Sequence, residues 1–237
     1  MPIERRLQTL AVLYYSSSFL FIGSLSVFTL IFLLFTRYYF ISFLYILWLI
    51  YDRNVCNQGG RINYWVREWT LWKHFADYFP LKLIKTTDLD PNKNYIFGCH
   101  PHGILCFSYF GNFATEGTQF SRVFPDITPH LLTLEGQFWF PINRELFIMS
   151  GKGHALVLMV GGAIEALDAV PNTLRLTLNK RKGFIKLALR NGASLVPVIS
   201  FGENELLIQK ENEEKSLIRK IQTFMTESLG FSPPMFH

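Results

Sequence analysis

Two histidines one residue apart are the sharpest chemical feature of the chain: His100-Pro101-His102-Gly103. They follow Tyr95 to Cys99, an apolar run that reads as a strand ending at His100. Pro101 biases His100 toward an extended backbone, where residues i and i+2 point the same way. Both imidazoles would then face one cavity, and Gly103 would let a ligand or a sharp turn come close. Ile104 to Glu116 reads as a helix. Its N-terminus would hold a nearby imidazole neutral, as a general base requires. The same spacing also fits half of a metal site or a structural pair bonded to backbone. No third histidine or cysteine stands at ligand spacing.

Three further stretches could serve such a base. Gly161-Gly162-Ala163-Ile164-Glu165 follows the apolar run Ala155 to Val160, a second predicted strand. A carboxylate just past a strand end is placed to orient an imidazole, although glutamates at helix starts are common in any case. Arg175, Lys180, Arg181, Lys182, Lys186 and Arg190 form a basic stretch with no acid among them. With the backbone N–H groups at Lys182-Gly183 they could hold phosphates; a solvated helix face or a face toward anionic lipid fits equally. Phe201-Gly202-Glu203-Asn204 follows the run Leu195 to Ser200, and chemistry alone assigns it no role.

The elements that must position these groups alternate between strands and helices, which argues for an α/β layer fold. Leu174 to Leu178 is predicted as a strand and Gly183 to Arg190 as a helix stopped by Asn191-Gly192. Pro197 marks the Leu195–Ser200 strand as an edge or a bulge. Glu213 to Leu229 reads as an amphipathic helix ended by Gly230.

The first third of the chain is different. Leu7 to Thr36 carries no charge, Arg37 interrupts, and Tyr38 to Tyr51 is again uncharged. About 20 apolar residues span a bilayer. The two runs therefore read as a transmembrane helical hairpin turning at Arg37. Arg5 and Arg6 before it, and Arg53, Arg61, Arg67 and Lys73 after it, put both ends in the cytoplasm by the positive-inside rule. A signal peptide or a buried core hairpin fits less well. Arg61 to Pro80 alternates Trp65, Trp69, Trp72, Tyr78 and Phe79 with Arg67, Lys73 and His74, which suits the headgroup layer or packing on a folded domain. The expected organisation is a membrane hairpin over 1–53, an interfacial segment over 54–90 and a cytosol-facing domain over 91–237.

Composition agrees. Phe alone counts 23 and charged residues are 17%, against a usual ~25%. A net charge of +5 suits an anionic membrane surface or a phosphorylated ligand and is too weak to argue for nucleic acid. Cys56, Cys99 and Cys106 form no C-x-x-C pair, so neither a disulfide framework nor a zinc ribbon is expected. An acyl-cysteine at Cys99 or Cys106 is conceivable, but no separate histidine partner is indicated.

Taken together, these motifs resemble the diacylglycerol acyltransferase type 2 family, which includes monoacylglycerol and wax-alcohol acyltransferases. The matching segments are Tyr78-Phe79-Pro80, the His100–Gly103 tetrad, Gly111-Asn112-Phe113, Gly161-Gly162 with Glu165, Arg181-Lys182-Gly183-Phe184 and Phe201-Gly202-Glu203-Asn204, in the family's order. The resemblance implies an α/β acyltransferase-like core, a mixed sheet flanked by helices, behind a transmembrane hairpin. It implies a multi-pass protein of the endoplasmic reticulum membrane with cytosolic termini, also found on lipid droplets. Acyl-CoA would be the donor substrate and a neutral-lipid alcohol the acceptor, with no metal or bound cofactor.

In that scheme His102 is the base, with His100 as the alternative, and Glu165 orients the imidazole. Pro101, Gly103, Gly161 and Gly162 shape the loops and the oxyanion site. Arg181, Lys182 and Lys186 hold the acyl-CoA phosphates, and Asn112, Glu203 and Asn204 line the site. Two departures from the family pattern are a segment missing between Ser150 and Gly151 and an early stop at Phe236-His237. They leave open a second expectation, an inactive membrane or lipid-droplet protein that pairs with a full-length relative.

Overall fold

The computed structural model describes residues 2–53, 63–133, 154–207 and 216–229. Arg61, Cys56, the Ser150–Gly151 junction and Gly230 lie outside them. The chain divides into two compact units, Met1–Lys82 with Thr115–Gln119 and Thr133–Lys152, and Leu83–Ala114 with Phe120–Leu132 and Gly153–His237.

The first unit is helical. Helix α1 (Ile3–Ser17) runs through a π-helical turn at Ser18–Ile22 into α2 (Gly23–Leu34), and α3 (Tyr39–Tyr51) follows a four-residue turn that contains Arg37. Helices α2 and α3 pair, and the Ser42 hydroxyl donates to the Leu30 carbonyl at 2.8 Å. The expected hairpin therefore exists and turns where the charge interrupts the apolar run. The expected spans do not: no helix among the described residues is long and apolar enough to cross a membrane. Helices α2 and α3 have 12 and 13 residues, against about 20 for a spanning helix.

Two short helices complete this unit, α4 (Tyr64–Arg67) and α5 (Thr70–Tyr78). Helix α5 packs on α1 through Ala11, Tyr15, Trp72 and Phe75, all buried, and the Tyr15 and Phe75 rings meet edge to face at 5.3 Å. Trp65 stays exposed. Arg67 is not a headgroup-facing cation, because its guanidinium is buried and donates to Glu116 at 2.7 Å.

The second unit is built on four strands, β1 (Tyr95–His100), β2 (Thr128–Leu131), β3 (His154–Met159) and β4 (Ser194–Ile199), in the order β2-β3-β1-β4. Every pairing is parallel, so the sheet is not mixed among the described residues. Parallel neighbours need crossover connections, and the helices that make them are α6 (Phe107–Tyr109), continued as a π-helical turn over Phe110–Ala114, then α7 (Phe120–Val123), α8 (Gly162–Leu167) and α9 (Gly183–Asn191). Helix α10 (Leu217–Leu229) follows. Gly192, in the left-handed region at φ 63°, closes α9 where the sequence predicts its stop.

An aromatic core of Phe97, Tyr109, Phe113, Phe120 and Phe124 covers one face of the sheet. Strand β4 lies at the end of the strand order and is partly exposed, which accounts for the tolerance of Pro197. Strand β2, which the sequence reading did not name, lies at the opposite edge of the described sheet, where Pro129 is accommodated. Leu174–Leu178 is not a strand: the Thr177 N–H donates to the Glu165 carboxylate instead of to a neighbouring strand.

Candidate active site

In parallel α/β sheets, ligand sites form beyond the carboxyl ends of the strands. Three adjacent strands here deliver the candidate residues to that edge. Strand β1 ends in His100, β3 leads into Gly161 and Gly162, and β4 leads into Gly202 and Glu203. The register fixes their level: Cys99 pairs with Met159, and His100 with Ile199.

Glu165 sits in the first turn of α8, 1% exposed, and folds back over Gly161. A Cβ on Gly161 would come within 1.9 Å of the Glu165 Oε2, so only glycine fits there. The carboxylate accepts from the His102 N–H at 2.8 Å and from the Thr177 N–H at 2.9 Å. Both its oxygens stand 3.1 Å from the His100 Nδ1. A carboxylate only accepts, so the His100 Nδ1 carries the proton. Burial pushes the Glu165 carboxyl up, but the hydrogen bonds from His100, Thr177 and His102 outweigh it and hold it below the usual carboxylate range.

The expectation placed Glu165 on the ring of His102. In the structure the carboxylate meets the ring of His100 and only the backbone of His102. The reason is that β1 ends at His100, so the strand rule that aligns i and i+2 no longer applies at His102. The His102 ring turns instead onto its own loop, where its Nδ1 lies 2.9 Å from the Gly103 carbonyl. A carbonyl accepts, so Nδ1 carries the hydrogen and Nε2 keeps the lone pair. Burial lowers the His102 pKa, against the pull of the Gly103 bond, and keeps the ring neutral.

The Cys106 sulfur lies 3.8 Å from the His102 Nε2 and 3.2 Å from the His102 carbonyl oxygen. Burial pushes this thiol, and that of Cys99, well above the ordinary value. Neither is the thiolate that an acyl-cysteine route would need.

The helix start after the tetrad does not supply the field expected of it. Its first N–H groups, on Phe107 and Ser108, donate to the Glu203 carboxylate at 2.9 and 3.0 Å. The neutrality of His102 therefore comes from burial. Glu203 is 3% exposed, and burial pushes its carboxyl up against the opposing pull of those hydrogen bonds. It presses on Gly103, which sits at φ 63°, where an added Cβ would stand 2.5 Å from the Glu203 Cγ. Gly103→Ala is therefore expected to lower the melting temperature and to remove activity together. Left-handed backbone costs an L residue about 1–2 kcal/mol before the overlap is counted. Thermal unfolding and a transfer assay on one preparation check it.

The other candidates distribute as follows. The Asn204 amide donates to the Thr173 carbonyl at 3.0 Å and steadies the segment that brings Thr177 to Glu165. Asn112 is buried on the π-helical turn, and its Oδ1 has no hydrogen-bond partner among the described residues. Pro101 follows a cis peptide bond, and Gly162 stands at φ 61°. The Arg181 guanidinium reaches the Gly161 carbonyl at 3.5 Å, while Lys182 and Lys186 are exposed. Three contributors have no signal in the local sequence: the Thr177 N–H, the Ser108 and Ser200 hydroxyls 2.7 Å apart, and the helix-capping role of Glu203.

Comparison with known proteins meets this site from the other direction. The sequence profile described as Diacylglycerol acyltransferase matches residues 31–237. Diacylglycerol O-acyltransferase 2 of Danio rerio is 48% identical over 250 residues, covering 98% of this chain and 69% of the relative. 2-Acylglycerol O-acyltransferase 1 of Homo sapiens is 45% identical over 255 residues, covering 100% and 76%. Diacylglycerol O-acyltransferase 2 of Homo sapiens is 43% identical over 252 residues, covering 99% and 65%. The 255-residue alignment is longer than the 237-residue chain, so at least 18 of its positions are gaps in this chain. No solved structure matches. With this match and these relatives, the chain belongs to the diacylglycerol acyltransferase family, acyltransferases of neutral lipid synthesis.

Proposed function

We propose that this chain esterifies the hydroxyl of diacylglycerol or 2-monoacylglycerol with a fatty acyl group from acyl-CoA, at the endoplasmic reticulum membrane, with His102 as general base. The observation that carries the assignment is the 2.9 Å contact between the His102 Nδ1 and the Gly103 carbonyl, which keeps the ring hydrogen on Nδ1 and leaves the Nε2 lone pair, with only the Cys106 thiol 3.8 Å away among the described residues, to accept a proton on a neutral ring. His102 Nε2 takes the hydroxyl proton as the oxygen attacks the thioester carbonyl. The tetrahedral oxyanion collapses, the C–S bond breaks, and the imidazolium returns the proton to the CoA sulfur. Glu165 supports this step through the backbone: it fixes the His102 N–H and so the position of the loop. Arg181, Lys182 and Lys186 hold the phosphates of acyl-CoA, and backbone N–H groups near Gly103 or Gly162 serve the oxyanion.

One observation favours a second reading. Glu165 on the Nδ1 of His100 leaves the Nε2 of that ring without a partner among the described residues, the arrangement of an acid-oriented base. His100 is buried, 8% exposed, whereas His102 is partly open, and a base must reach its substrate.

The function is tested in microsomes from cells lacking their own neutral-lipid acyltransferases. Labelled oleoyl-CoA is offered with monoacylglycerol, diacylglycerol or hexadecanol, and the lipids are separated. A product from one or both acylglycerols is expected. Product from hexadecanol alone overturns the acceptor assignment. No product from inserted protein overturns the catalytic reading in favour of a non-catalytic membrane protein.

A further inference from the structure

We infer that Glu203 is a positioning residue for acyl transfer: with Ser200 it cradles the loop from His100 to Ser108, and so fixes the Gly103 carbonyl that orients the His102 ring. The inference rests on the reading of His102 as general base.

One short stretch, the exit of β4, meets this loop at its start, its middle and its end. At the start, the Ser200 N–H donates to the His100 carbonyl at 2.9 Å. In the middle, the Glu203 side chain fills the space beside Gly103: a Cβ there would stand 2.5 Å from its Cγ, 2.7 Å from its Oε1 and 3.0 Å from its Cδ. At the end, one carboxylate oxygen accepts from the Phe107 N–H at 2.9 Å and the other from the Ser108 N–H at 3.0 Å. The Ser108 hydroxyl bonds the same carboxylate, and the Ser200 hydroxyl stands 2.7 Å from that of Ser108.

A buried carboxylate is a costly way merely to fill space beside a glycine, since burial opposes its charge. What it adds is direction, because the donors around it fix where each oxygen stands. That direction passes to the base in one step. Gly103 sits at φ 63°, and its carbonyl accepts from the His102 Nδ1 at 2.9 Å. The tautomer of an imidazole is set by the hydrogen bond its other nitrogen makes, so a displaced Gly103 carbonyl releases the ring hydrogen from Nδ1. Among the described residues no hydrogen bond joins Glu203 to the His102 ring itself, so Glu203 acts on it through Gly103.

The test uses the full chain carrying Glu203→Gln, which keeps the shape beside Gly103 but offers one acceptor oxygen and turns an NH₂ toward the remaining donors. Rates are measured on inserted protein across pH. The kcat is expected to fall on the order of 10–100-fold, the scale of loss from a misplacement of about 1 Å, while KM for acyl-CoA stays unchanged. The Gly103 bond favours the protonated His102 ring, so weakening it should move the acid limb of the rate to lower pH. Detergent-solubilised chain labelled with nitrogen-15 at histidine gives a readout independent of turnover. The signals that disappear in His102→Ala belong to that ring; they are expected to report hydrogen on Nδ1 in the wild type and a shift toward Nε2 in Glu203→Gln. Glu203→Asp withdraws one methylene from Gly103 and is expected to move every readout in the same direction by less, so it carries the test if the glutamine variant does not fold. An unchanged tautomer in the folded variants overturns the inference, and so does a lowered kcat with the wild-type acid limb, which would leave Glu203 a staple of the fold. Normal turnover in His102→Ala would instead sink the base assignment, whatever the tautomer shows.

Discussion

His102→Ala is expected to lower acyl transfer by roughly 10²–10⁴-fold while leaving the chain folded and inserted. The magnitude follows from removing the only nitrogen proposed to take the hydroxyl proton. Folding should survive, because the ring bonds within its own loop, to the Gly103 carbonyl and the Cys106 sulfur, whereas the His102 N–H that anchors Glu165 is retained by alanine. The wild-type rate should be governed by the neutral ring. Because burial depresses the His102 pKa, the rate should hold as pH falls through the ordinary imidazole range and drop only below it. His100→Asn, which can still donate to Glu165, is the companion variant. If His102 is the base, His100→Asn keeps measurable turnover and the same acid limb. If His100→Asn is dead while His102→Ala turns over, the base is His100. Single-turnover rates on inserted protein, measured across pH, separate the two.

The contrast between these histidines shows where the sequence was readable. Strands β1, β3 and β4 were legible as short apolar runs bounded by Gly, Pro and Asn, and the end of α9 as Asn191-Gly192. The loops that leave these strands could therefore be named as the site. Which loop groups touch could not be read, because the contacts are between distant positions. Glu165 meets residues 63 and 65 positions earlier, and Glu203 meets Ser108, 95 positions earlier. The strand rule carried His100 but ran out one residue before His102. Apolar alternation at Leu174–Leu178 gave the same signal as a strand, although its N–H at Thr177 was taken by a side chain. The hairpin turned at Arg37 as read, but mean apolarity held no information about the π-helical turn at Ser18–Ile22.

Glu165→Gln carries the second large effect, and its value is that stability and rate should fall for one stated reason. Three N–H donors converge on the carboxylate: the His100 Nδ1–H, the His102 N–H and the Thr177 N–H. Gln offers one acceptor oxygen and turns an NH₂ toward the rest, so at least one buried donor faces another donor. An unsatisfied buried group costs about 1–3 kcal/mol. The melting temperature should fall accordingly, and the His102 loop should lose its anchor, with turnover dropping while KM for acyl-CoA stays near its wild-type value. The pH dependence identifies the cause. Glu165 titrates below the usual carboxylate range in the folded chain, so its contribution is fully present above that range and is lost as pH falls through the depressed value. Wild-type stability should therefore decline across that acid window, and the gap to Glu165→Gln should narrow there, since glutamine has no charge to lose. A variant that is destabilised yet turns over normally would keep Glu165 as a buried staple and remove it from the reaction. A variant with wild-type stability and wild-type rate would remove it from both.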